Sequence, residues 1–551
     1  MLALLLSLLL SGFTFGDRTA PTGEEWQSPQ ELSLNKELPH AWFFSFPDIE
    51  SARKVLPEHS SRWMSLDGTW RFHWAPDPEA RPKDFFREDF ADGNWDEIPV
   101  PSNWNIVGIG HDGSQRYGTP IYVNVNVPWW KEIKPDDWRL GVMRTPPEDW
   151  TMYKMRNEVG SYRRSFEVPA DWAGARIYLN FDGVDSFFYL WINGRYVGFS
   201  KNSRNTAQFD ITRFLHAGTN TVAVEVYRNS DAGNLEAQDM FRLPGIFRTV
   251  ALEARPQTTV RDLRVTPSLS GLHIAAEILG DAKGTTLTWR LYEHPLYSDE
   301  NALVATFEGQ APVCDITYAE AHPWSAEAPW RYTLVGELKD ASGQTLDIVS
   351  TIVGFREVAI LDTPAEKDEF GLAGRYFYLN GKPVKLRGVN RHETEPSLGH
   401  AVTRAIMEQD IRLMKQAGIN HVRNSHYPDA PYWYWLCDKY GIYLMDEANI
   451  ESHHYHYGEA SLSHPVEWRA AHVARMTEMV AANYNHPSIL IWSMGNEAGP
   501  GKNSNTPTPP PGPSTRCGPS NTSGTTTYPT SAAGSIRPWP GCRKWPPVRP
   551  R

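Results

Sequence analysis

Residues 489–497 read Ile-Leu-Ile-Trp-Ser-Met-Gly-Asn-Glu, an apolar run that ends in a polar pair. A short apolar run of this kind is typical of a strand that is buried on both faces, as in a parallel sheet. Further strand candidates lie upstream, at residues 384–389, 421–423 and 442–445. The stretch therefore predicts the fourth strand of a parallel series.

Helical segments separate these strand candidates. Thr403 can cap a first helix that ends at Gly418, and Asp429 can cap a second helix over residues 431–440. A third helix is predicted over residues 465–485, where a following His-Pro pair forces it to stop. Strands and helices that alternate at this spacing predict a parallel βα array.

Polar side chains crowd the end of each predicted strand. In a (β/α) barrel the active site is built from the carboxyl ends of several strands, so this placement favours a barrel over an open sheet. The residues are Asn390, Arg391 and His392; Asn424 and His426; Asp446, Glu447, Asn449, Glu451 and His453; Asn496 and Glu497.

Several of these residues have a chemical and a purely structural interpretation. Glu497 places a carboxyl group at the mouth of an apolar strand, where it is either a general acid or a capping or salt-bridging residue. Glu451 and His453 lie two apart and can bind one cation with Glu497, or can be ordinary polar loop residues. His392 and His426 can donate hydrogen bonds to sugar hydroxyls, or can be structural histidines.

The chain before residue 360 follows a different pattern. From about residue 42 to residue 254 apolar residues alternate with polar ones, which indicates half-buried strands. Asn193-Gly194 supplies the positive φ angles of a tight hairpin turn within this region. We expect an antiparallel β-sandwich here, followed over residues 255–359 by a second, shorter all-β domain of immunoglobulin-like size.

The amino-acid composition and net charge indicate which classes of binding partner to expect. The 551 residues carry a formal charge of −11 without a basic stripe, so nucleic acid is not an expected partner. Four scattered cysteines predict neither a disulfide framework nor a cysteine metal or redox site. The 22 Trp and 23 Tyr suit burial in a core or stacking on a ring-shaped ligand, of which carbohydrate is one.

The first residues form an apolar run that is too short to span a bilayer as a helix. Leu and Ala dominate residues 2–10, and polarity begins at Asp17. This pattern predicts a signal peptide over residues 1–16 and a secreted or periplasmic protein, although no Lys or Arg precedes the run. An N-terminal membrane anchor is the alternative.

Taken in order, several motifs resemble the β-galactosidases of glycoside hydrolase family two. The resemblance covers roughly residues 40–500 and extends upstream through residues 101–104, 120–125 and 231–247. In the predicted barrel it rests on Arg-Gly-Val-Asn-Arg-His-Glu at 387–393, Ser-His-Tyr-Pro at 425–428, Asp-Glu-Ala-Asn-Ile-Glu at 446–451 and Trp-Ser-Met-Gly-Asn-Glu-Ala-Gly at 492–499.

The resemblance implies a multidomain fold and a retaining glycosidase. A jelly-roll sugar-binding domain is expected over residues 40–254, an immunoglobulin-like sandwich over 255–359 and the first half of a (β/α)8 TIM barrel over 360–502. The implied reaction is hydrolysis of terminal β-D-galactose from β-galactoside oligosaccharides. A homo-oligomer is possible for a full-length relative.

The resemblance also implies roles for individual residues. Glu497 matches the general acid/base, and Asn496 matches the residue that holds the sugar 2-hydroxyl. Asn124 matches another galactosyl contact. His392 and His426 match the histidines that hold galactosyl hydroxyls and stabilise the transition state.

Two cation sites are implied in the same way. Glu451, His453 and Glu497 match a magnesium site that tunes the acid. Asp231, in the first domain, matches the residue that contacts the galactose 6-hydroxyl and a sodium ion. Both Mg²⁺ and Na⁺ are thus expected cofactors by resemblance alone.

The end of the chain departs from the family pattern. Double displacement needs a second carboxylate about 5 Å from the first, and no Asp or Glu follows Glu497. Residues 503–551 are rich in Pro, Thr, Ser and Gly, and we expect them to be disordered or translated out of frame. The sequence as written is therefore expected to lack the nucleophile and to show no turnover.

Two other functions remain open at this point. Within the enzyme class, the alternative substrates are β-glucuronides or β-mannosides. From a different class, the two β domains can act as a non-catalytic carbohydrate-binding fragment that stacks sugars on aromatic side chains.

Overall fold

The computed structural model describes residues 14–123, 157–368, 371–453, 461–499 and 501–503. Most of the proposed signal segment, Asn124 and the tail beyond residue 503 lie outside these residues. The described chain forms two β-sandwiches followed by a parallel βα unit. This arrangement confirms the expected fold class. Among the described helices, none has the length and apolar character needed to cross a membrane.

The first sandwich has a jelly-roll architecture of two antiparallel sheets. A seven-stranded sheet, in the order β1-β11-β10-β13-β7-β4-β5, packs on a four-stranded sheet of order β12-β8-β16-β3. Leu179 and Leu252 of the smaller sheet and Leu190 and Val224 of the larger one are fully buried in the core between them. The strands are β1 Ser33–Leu34, β2 Phe44–Phe46, β3 Trp63–Ser65, β4 Gly68–Ala75, β5 Asp96–Val100, β6 Ile121–Val123, β7 Val159–Glu167, β8 Arg176–Phe181, β9 Val184–Asp185, β10 Phe187–Ile192, β11 Arg195–Lys201, β12 Ala207–Asp210, β13 Thr219–Tyr227, β14 Met240–Arg242, β15 Gly245–Ile246 and β16 Val250–Arg255.

Two short helices, α1 Ile49–Ala52 and α2 Trp104–Val107, and the expected Asn193-Gly194 turn lie in the same part of the chain. Both turn residues have positive φ angles, 50° and 73°, and they join β10 to β11. The period-two pattern and the hairpin signal were thus correct indicators of antiparallel structure.

The second sandwich is smaller, as its length suggests. A three-stranded sheet of order β17-β18-β21 packs on a five-stranded sheet of order β2-β23-β22-β19-β20, so β2 from the start of the chain pairs here. Trp289 and Leu334 are fully buried between the sheets. The strands are β17 Thr259–Pro267, β18 Gly271–Leu279, β19 Thr286–Glu293, β20 Ala302–Gln310, β21 Val313–Thr317, β22 Tyr332–Lys339 and β23 Thr345–Val353.

Four parallel strands form the barrel portion, in the order β27-β28-β29-β30. A small antiparallel sheet of three strands, β24 Val358–Thr363, β25 Gly374–Leu379 and β26 Lys382–Pro383, precedes them. Parallel neighbours in chain order require the helical crossovers that the sequence predicts. The elements are β27 Gly388–Arg391, α3 Arg404–Gln416, β28 His421–Asn424, α4 Pro431–Tyr440, β29 Tyr443–Glu447, α5 Arg469–Asn483 and β30 Ile489–Ser493.

Two local expectations were wrong. The first barrel strand is Gly388–Arg391 instead of 384–389, because Val384 continues the preceding hairpin and donates its N–H to the Phe377 carbonyl. Asp429 does not cap α4, because its carboxylate accepts a hydrogen bond from Arg391 at 2.9 Å. Thr403 does cap α3, accepting from the Ile406 N–H at 3.4 Å.

A buried ion cluster joins the first sandwich to the barrel strands. Glu393, which follows β27, accepts from Arg248 Nη2 at 2.6 Å and from Arg204 Nη1 at 3.3 Å, and all three side chains are at most 5% exposed. Burial alone would raise the pKa of Glu393, but the two arginines hold it below its ordinary value. Arg248 also donates to the Pro428 carbonyl at 2.7 Å, so one guanidinium holds the loops after β27 and β28.

A Glu393→Gln substitution leaves the buried guanidinium groups of Arg204 and Arg248 without this carboxylate. Removing one partner from a buried ion cluster costs about 3–5 kcal/mol, so we expect the urea midpoint of the transition that unfolds the barrel strands to fall clearly. Asp362→Asn is the control, since it breaks an exposed pair with Arg375 and should leave the midpoint unchanged. Equal midpoints for Glu393→Gln and the unsubstituted chain would contradict this account.

Candidate active site at the strand ends

The carboxyl ends of the four parallel strands meet at one edge of the sheet. The register pairs Arg391 with Asn424 across β27 and β28, and Glu447 with Ser493 across β29 and β30. The loops that follow these positions carry the residues predicted from the sequence. His392 and His426, from the first two loops, have their ring centroids 5.3 Å apart and nearly perpendicular.

Glu451, His453 and Glu497 form a cluster with the geometry of a cation site. One potential ligand atom from each residue lies within 4.8 Å of the others. His453 Nδ1 is 3.2 Å from Glu451 Oε1 and 3.5 Å from Glu497 Oε2. Glu451 and His453 are buried, whereas the Glu497 side chain is 46% exposed. The cluster therefore opens to solvent on the side of Glu497.

The donor set of this cluster fits a divalent cation. Two carboxylates and one imidazole offer hard oxygen atoms and one nitrogen, a combination that Mg²⁺ or Mn²⁺ accepts. Burial lowers the pKa of His453, but the neighbouring Glu451 and Glu497 carboxylates outweigh it and raise the pKa overall. The raised pKa of His453 indicates excess negative charge in the cluster. A bound cation would neutralise this charge.

A sharp turn after β30 brings Asn496 and Glu497 to this cluster. Gly495 has φ +125°, and a Cβ at this position would stand 2.5 Å from the Ile450 carbonyl oxygen. The chain then returns to the neighbouring loop, where the Asn496 N–H donates to the Ile450 carbonyl at 2.8 Å. Glycine is required here because both the backbone angle and the close approach exclude a side chain.

Asn496 connects the cation cluster to a second buried carboxylate. Its side-chain Nδ2 donates to Glu451 Oε2 at 3.1 Å, and its Oδ1 accepts from Arg423 Nη2 at 3.0 Å. Arg423 in turn makes a bidentate pair with Glu447, at 2.7 and 2.8 Å. The amide is thus held at both ends, which fixes the direction in which it can meet a ligand.

The sequence places Glu447 at the strand ends but predicts no chemical role for it. Its fully buried carboxylate accepts from His426 Nδ1 at 2.7 Å and from Ser493 Oγ at 2.6 Å, besides the two bonds from Arg423. Burial raises the pKa of Glu447, but these partners lower it below its ordinary value. The available signal was the arginine at 423 within a predicted strand, whose partner Glu447 is known only from the folded structure.

Asp231 lies in the first sandwich and does not join the cluster. It begins a short 3-10 turn, Asp231–Asn234, and its Oδ1 accepts from Lys201 Nζ at 2.5 Å with both side chains at most 2% exposed. The carboxylate that the family pattern offers to sodium is therefore already paired with an ammonium group. In this arrangement the Asp231 carboxylate does not fit the role of a sodium ligand.

The chain just after Asp231 does reach the strand ends. The Ala237 N–H donates to the Glu451 carbonyl at 3.0 Å, and Gln238 Nε2 donates to Asn449 Oδ1 at 2.8 Å. Asp239, one residue further, accepts from the Tyr122 hydroxyl. The first sandwich thus contributes backbone and side chains to the rim of the candidate site.

Three family models cover most of the chain. The sugar binding domain of glycosyl hydrolases family 2 matches residues 63–256, the model named Glycosyl hydrolases family 2 matches residues 258–356, and the family 2 TIM barrel domain matches residues 370–507.

The chain belongs to glycosyl hydrolases family 2.

Two curated relatives show how this family 2 chain compares in length. The β-galactosidase of Priestia megaterium (strain DSM 319 / IMG 1521) is 38% identical over 513 residues, which are 88% of this chain and 46% of the relative. The β-galactosidase of Vibrio vulnificus (strain CMCP6) is 37% identical over 500 residues, 87% of this chain and 44% of the relative. The chain spans a little under half the length of these relatives.

Solved structures share the fold of the family 2 chain. Ruminococcus gnavus β-glucuronidase aligns with a TM-score of 0.62 and 22% identity, covering 80% of this chain and 69% of that one. Bacteroides uniformis β-glucuronidase aligns with a TM-score of 0.57 and 23% identity, covering 78% and 46% respectively. At these identities the likeness concerns the fold.

Most of the residues named from the sequence therefore lie at one edge of the family 2 fold. His392, His426, Glu451, His453, Asn496 and Glu497 are on the loops that follow the four parallel strands. Asp231 lies apart from them, paired with Lys201, and Asn124 is outside the described residues.

His392 is expected to be uncharged at neutral pH. Burial, followed by the nearby His426 and Arg204, lowers its pKa to about 4. Because the pKa is lower in the folded state, this group favours folding above its ordinary pKa of about 6.5, and that contribution is lost as the pH falls from there toward 4.

An NMR titration of ¹³Cε1-labelled histidine tests the charge state of His392. The signal that is missing from a His392→Gln variant assigns the residue, and its midpoint is expected near pH 4. A midpoint at or above the ordinary histidine value of about 6.5 would show that the ring is charged under mildly acidic conditions and contradict the assignment.

Proposed function

We propose that this chain carries the acid/base portion of a retaining β-galactosidase site. The observation that supports the proposal best is the position of Glu497, half-exposed at the strand ends and in reach of Glu451 and His453. Asn496 stands beside it, and both curated relatives named above are β-galactosidases. We propose the same activity, hydrolysis of β-galactosides, for the whole enzyme.

Glu497 is the proposed general acid and base. In the first step its carboxyl proton passes to the glycosidic oxygen of the leaving group, and in the second step the carboxylate takes a proton from water. A side chain that is 46% exposed can meet both the substrate and water. Asn496, held by Glu451 and Arg423, presents its amide to a sugar hydroxyl without a reorientation step.

His392 and His426 are proposed to hold hydroxyls of the same sugar ring. His426 is oriented by its 2.7 Å contact with Glu447, and His392 by a 3.2 Å contact between its Nδ1 and the Tyr427 hydroxyl. A neutral imidazole at His392 retains one donor and one acceptor, which matches a hydroxyl group. The His392 ring therefore offers directed hydrogen bonds instead of a diffuse positive charge.

Glu451, His453 and Glu497 are proposed to hold Mg²⁺. When bound, the ion supplies positive charge beside the Glu497 carboxylate. The residues themselves provide the fit described above, two carboxylates and an imidazole that approach one another closely from two neighbouring loops.

Binding of Mn²⁺, followed by electron paramagnetic resonance, tests this cation site. Glu451→Gln removes one anionic ligand, and its affinity for Mn²⁺ is expected to fall by at least roughly tenfold. Glu395→Gln is a matched control on the loop after β27, where the carboxylate only accepts from Ser397 and Leu398. Equal Mn²⁺ binding by Glu451→Gln and the unsubstituted chain would remove Glu451 from the site.

The second carboxylate of a double displacement is not assigned to a described residue. Glu447 is fully buried and holds hydrogen bonds from Arg423, His426 and Ser493, so it is not available as a nucleophile. Glu451 belongs to the proposed cation site. The sequence-based expectation of no turnover therefore stays a prediction.

An assay with p-nitrophenyl β-D-galactoside checks the prediction of no turnover. The purified chain is expected to release no more nitrophenol than a Glu497→Gln variant, because protonation of the leaving group alone does not complete the displacement. Release above that of Glu497→Gln would contradict the prediction and would show that another carboxylate serves as nucleophile.

Sugar selectivity separates the proposed galactosyl site from its alternatives. We expect isopropyl β-D-thiogalactoside to bind more tightly than methyl β-D-glucuronide or methyl β-D-mannoside in calorimetry, and Asn496→Ala to weaken that binding. Asn301→Ala, before β20 in the second sandwich, is the control. Preference for the glucuronide or mannoside would favour those substrates, and galactoside binding unaffected by Asn496→Ala would favour a site on the β domains alone.

A further inference from the structure

A segment of the first sandwich domain, residues 235–237, lies beside the loop that carries Glu451. The Glu451 N–H donates to the Leu235 carbonyl at 2.5 Å, and the Ala237 N–H donates to the Glu451 carbonyl at 3.0 Å. These two bonds form a parallel bridge between Glu236 and Glu451. The backbone of a proposed cation ligand is therefore held at both its donor and its acceptor by the first domain.

The backbone of Glu451 is also paired with the turn after β30. A second parallel bridge joins Glu451 to Asn496, and the Asn496 N–H donates to the Ile450 carbonyl at 2.8 Å. The segments at Glu236, Glu451 and Asn496 thus lie side by side. Because Glu497 is the next residue after Asn496, a shift of the segment at Glu236 would reach two members of the cation cluster.

The side chain of Glu236 fixes this segment to a helix of the barrel portion. Its Oε1 accepts from Arg475 Nη2 at 2.7 Å and from the Ser203 N–H at 3.3 Å, and its Oε2 accepts from the Ser203 hydroxyl. The Glu236 and Arg475 side chains are only 6% and 2% exposed. Ser203 follows β11, and Arg475 lies in α5. One buried carboxylate, at the bridge position itself, therefore joins the first sandwich to α5.

The backbone of Glu236 is held as firmly as its side chain. Its N–H donates to the Ala232 carbonyl at 3.0 Å, and its carbonyl accepts from the Arg242 guanidinium. A buried network of this kind resists movement, because each polar group would lose a hydrogen bond by shifting. The guanidinium of Arg475 adds a planar set of donors, which fixes the direction of the ion pair as well as its charge.

We propose that Glu236 is a positioning residue for the cation site and that Arg475 and Ser203 hold it in place. It acts through the backbone bridge to Glu451, while its own carboxylate stays paired with Arg475. The affinity of a metal site depends on the partners that orient its ligands, so a looser bridge weakens cation binding although every ligand remains. The proposal rests on the proposed function, because it concerns the Mg²⁺ site assigned there.

Electron paramagnetic resonance of Mn²⁺ bound to the full chain tests this role. Glu236→Gln keeps the shape of the side chain but removes the charge that pairs with Arg475. We expect its dissociation constant for Mn²⁺ to rise roughly three- to tenfold, and the lines of bound Mn²⁺ at saturation to change with the ligand geometry. Lys36→Gln is the control, because it breaks another buried ion pair to α5, with Glu478, and should keep both the affinity and the spectrum.

Conservative substitution of Arg475 gives a rescue experiment. Arg475→Lys keeps a positive charge for Glu236, whereas Arg475→Met removes it, so Arg475→Lys is expected to retain more of the Mn²⁺ affinity. A residue that serves overall stability alone would leave the Mn²⁺ affinity and spectrum of the folded chain unchanged in all of these variants.

Amide hydrogen exchange followed by mass spectrometry tests the bridge without any cation. The amides of Ala237 and Glu451 are expected to exchange faster in Glu236→Gln and to stay protected in Lys36→Gln. Ser203→Ala removes only the hydroxyl donor to Glu236 and serves as the variant to measure where Glu236→Gln does not fold. It is expected to change exchange and Mn²⁺ affinity in the same direction, with the affinity roughly halved.

The outcomes separate this proposal from the proposed function. Unchanged Mn²⁺ affinity in the folded Glu236→Gln chain, or in Ser203→Ala in its place, would overturn the positioning role. Unchanged exchange at Ala237 and Glu451 would do the same, as would an equal loss of affinity in Lys36→Gln. Equal Mn²⁺ binding by Glu451→Gln and the unsubstituted chain would instead refute the cation site itself.

Discussion

The buried carboxylate of Glu393 is the contact on which the arrangement of the strand ends depends. It accepts from Arg248 and Arg204 of the first sandwich, and Arg248 reaches on to the Pro428 carbonyl. Since Glu393 is the immediate neighbour of His392, the ion cluster fixes the loops that carry both candidate histidines. Residues of the jelly-roll domain therefore help to hold the loops of the parallel strands that form the candidate site.

Within that frame, a second buried carboxylate organises the functional side chains themselves. Glu447 accepts hydrogen bonds from Arg423 of β28, from His426 in the loop after β28 and from Ser493 of β30, and Arg423 also donates to Asn496. Such a fully satisfied network is rigid, because each buried polar group would lose a hydrogen bond by moving. The open side of the site is left to Glu497, the one member of the cation cluster that solvent reaches.

The sequence predicted much of this architecture because its signals are local. Alternation of period two indicated the sandwiches, Asn193-Gly194 indicated a hairpin, and apolar runs separated by helical segments indicated parallel strands. Placing the polar residues at strand ends followed from topology, because parallel strands present their carboxyl ends at one edge. Errors arose where a residue had a distant partner: Asp429 contacts Arg391 instead of capping a helix.

What the sequence determined by itself is therefore the order of the elements, the edge at which the site lies and the candidate residues at that edge. Only the tertiary structure decided which charges neutralise which. Glu447 acquired its place through the register of three strands, and Asp231 was found paired with Lys201, thirty residues earlier in the chain. The physical reason is that strand and helix signals come from neighbouring residues, whereas a buried charge is stable only with a partner that the fold brings from elsewhere.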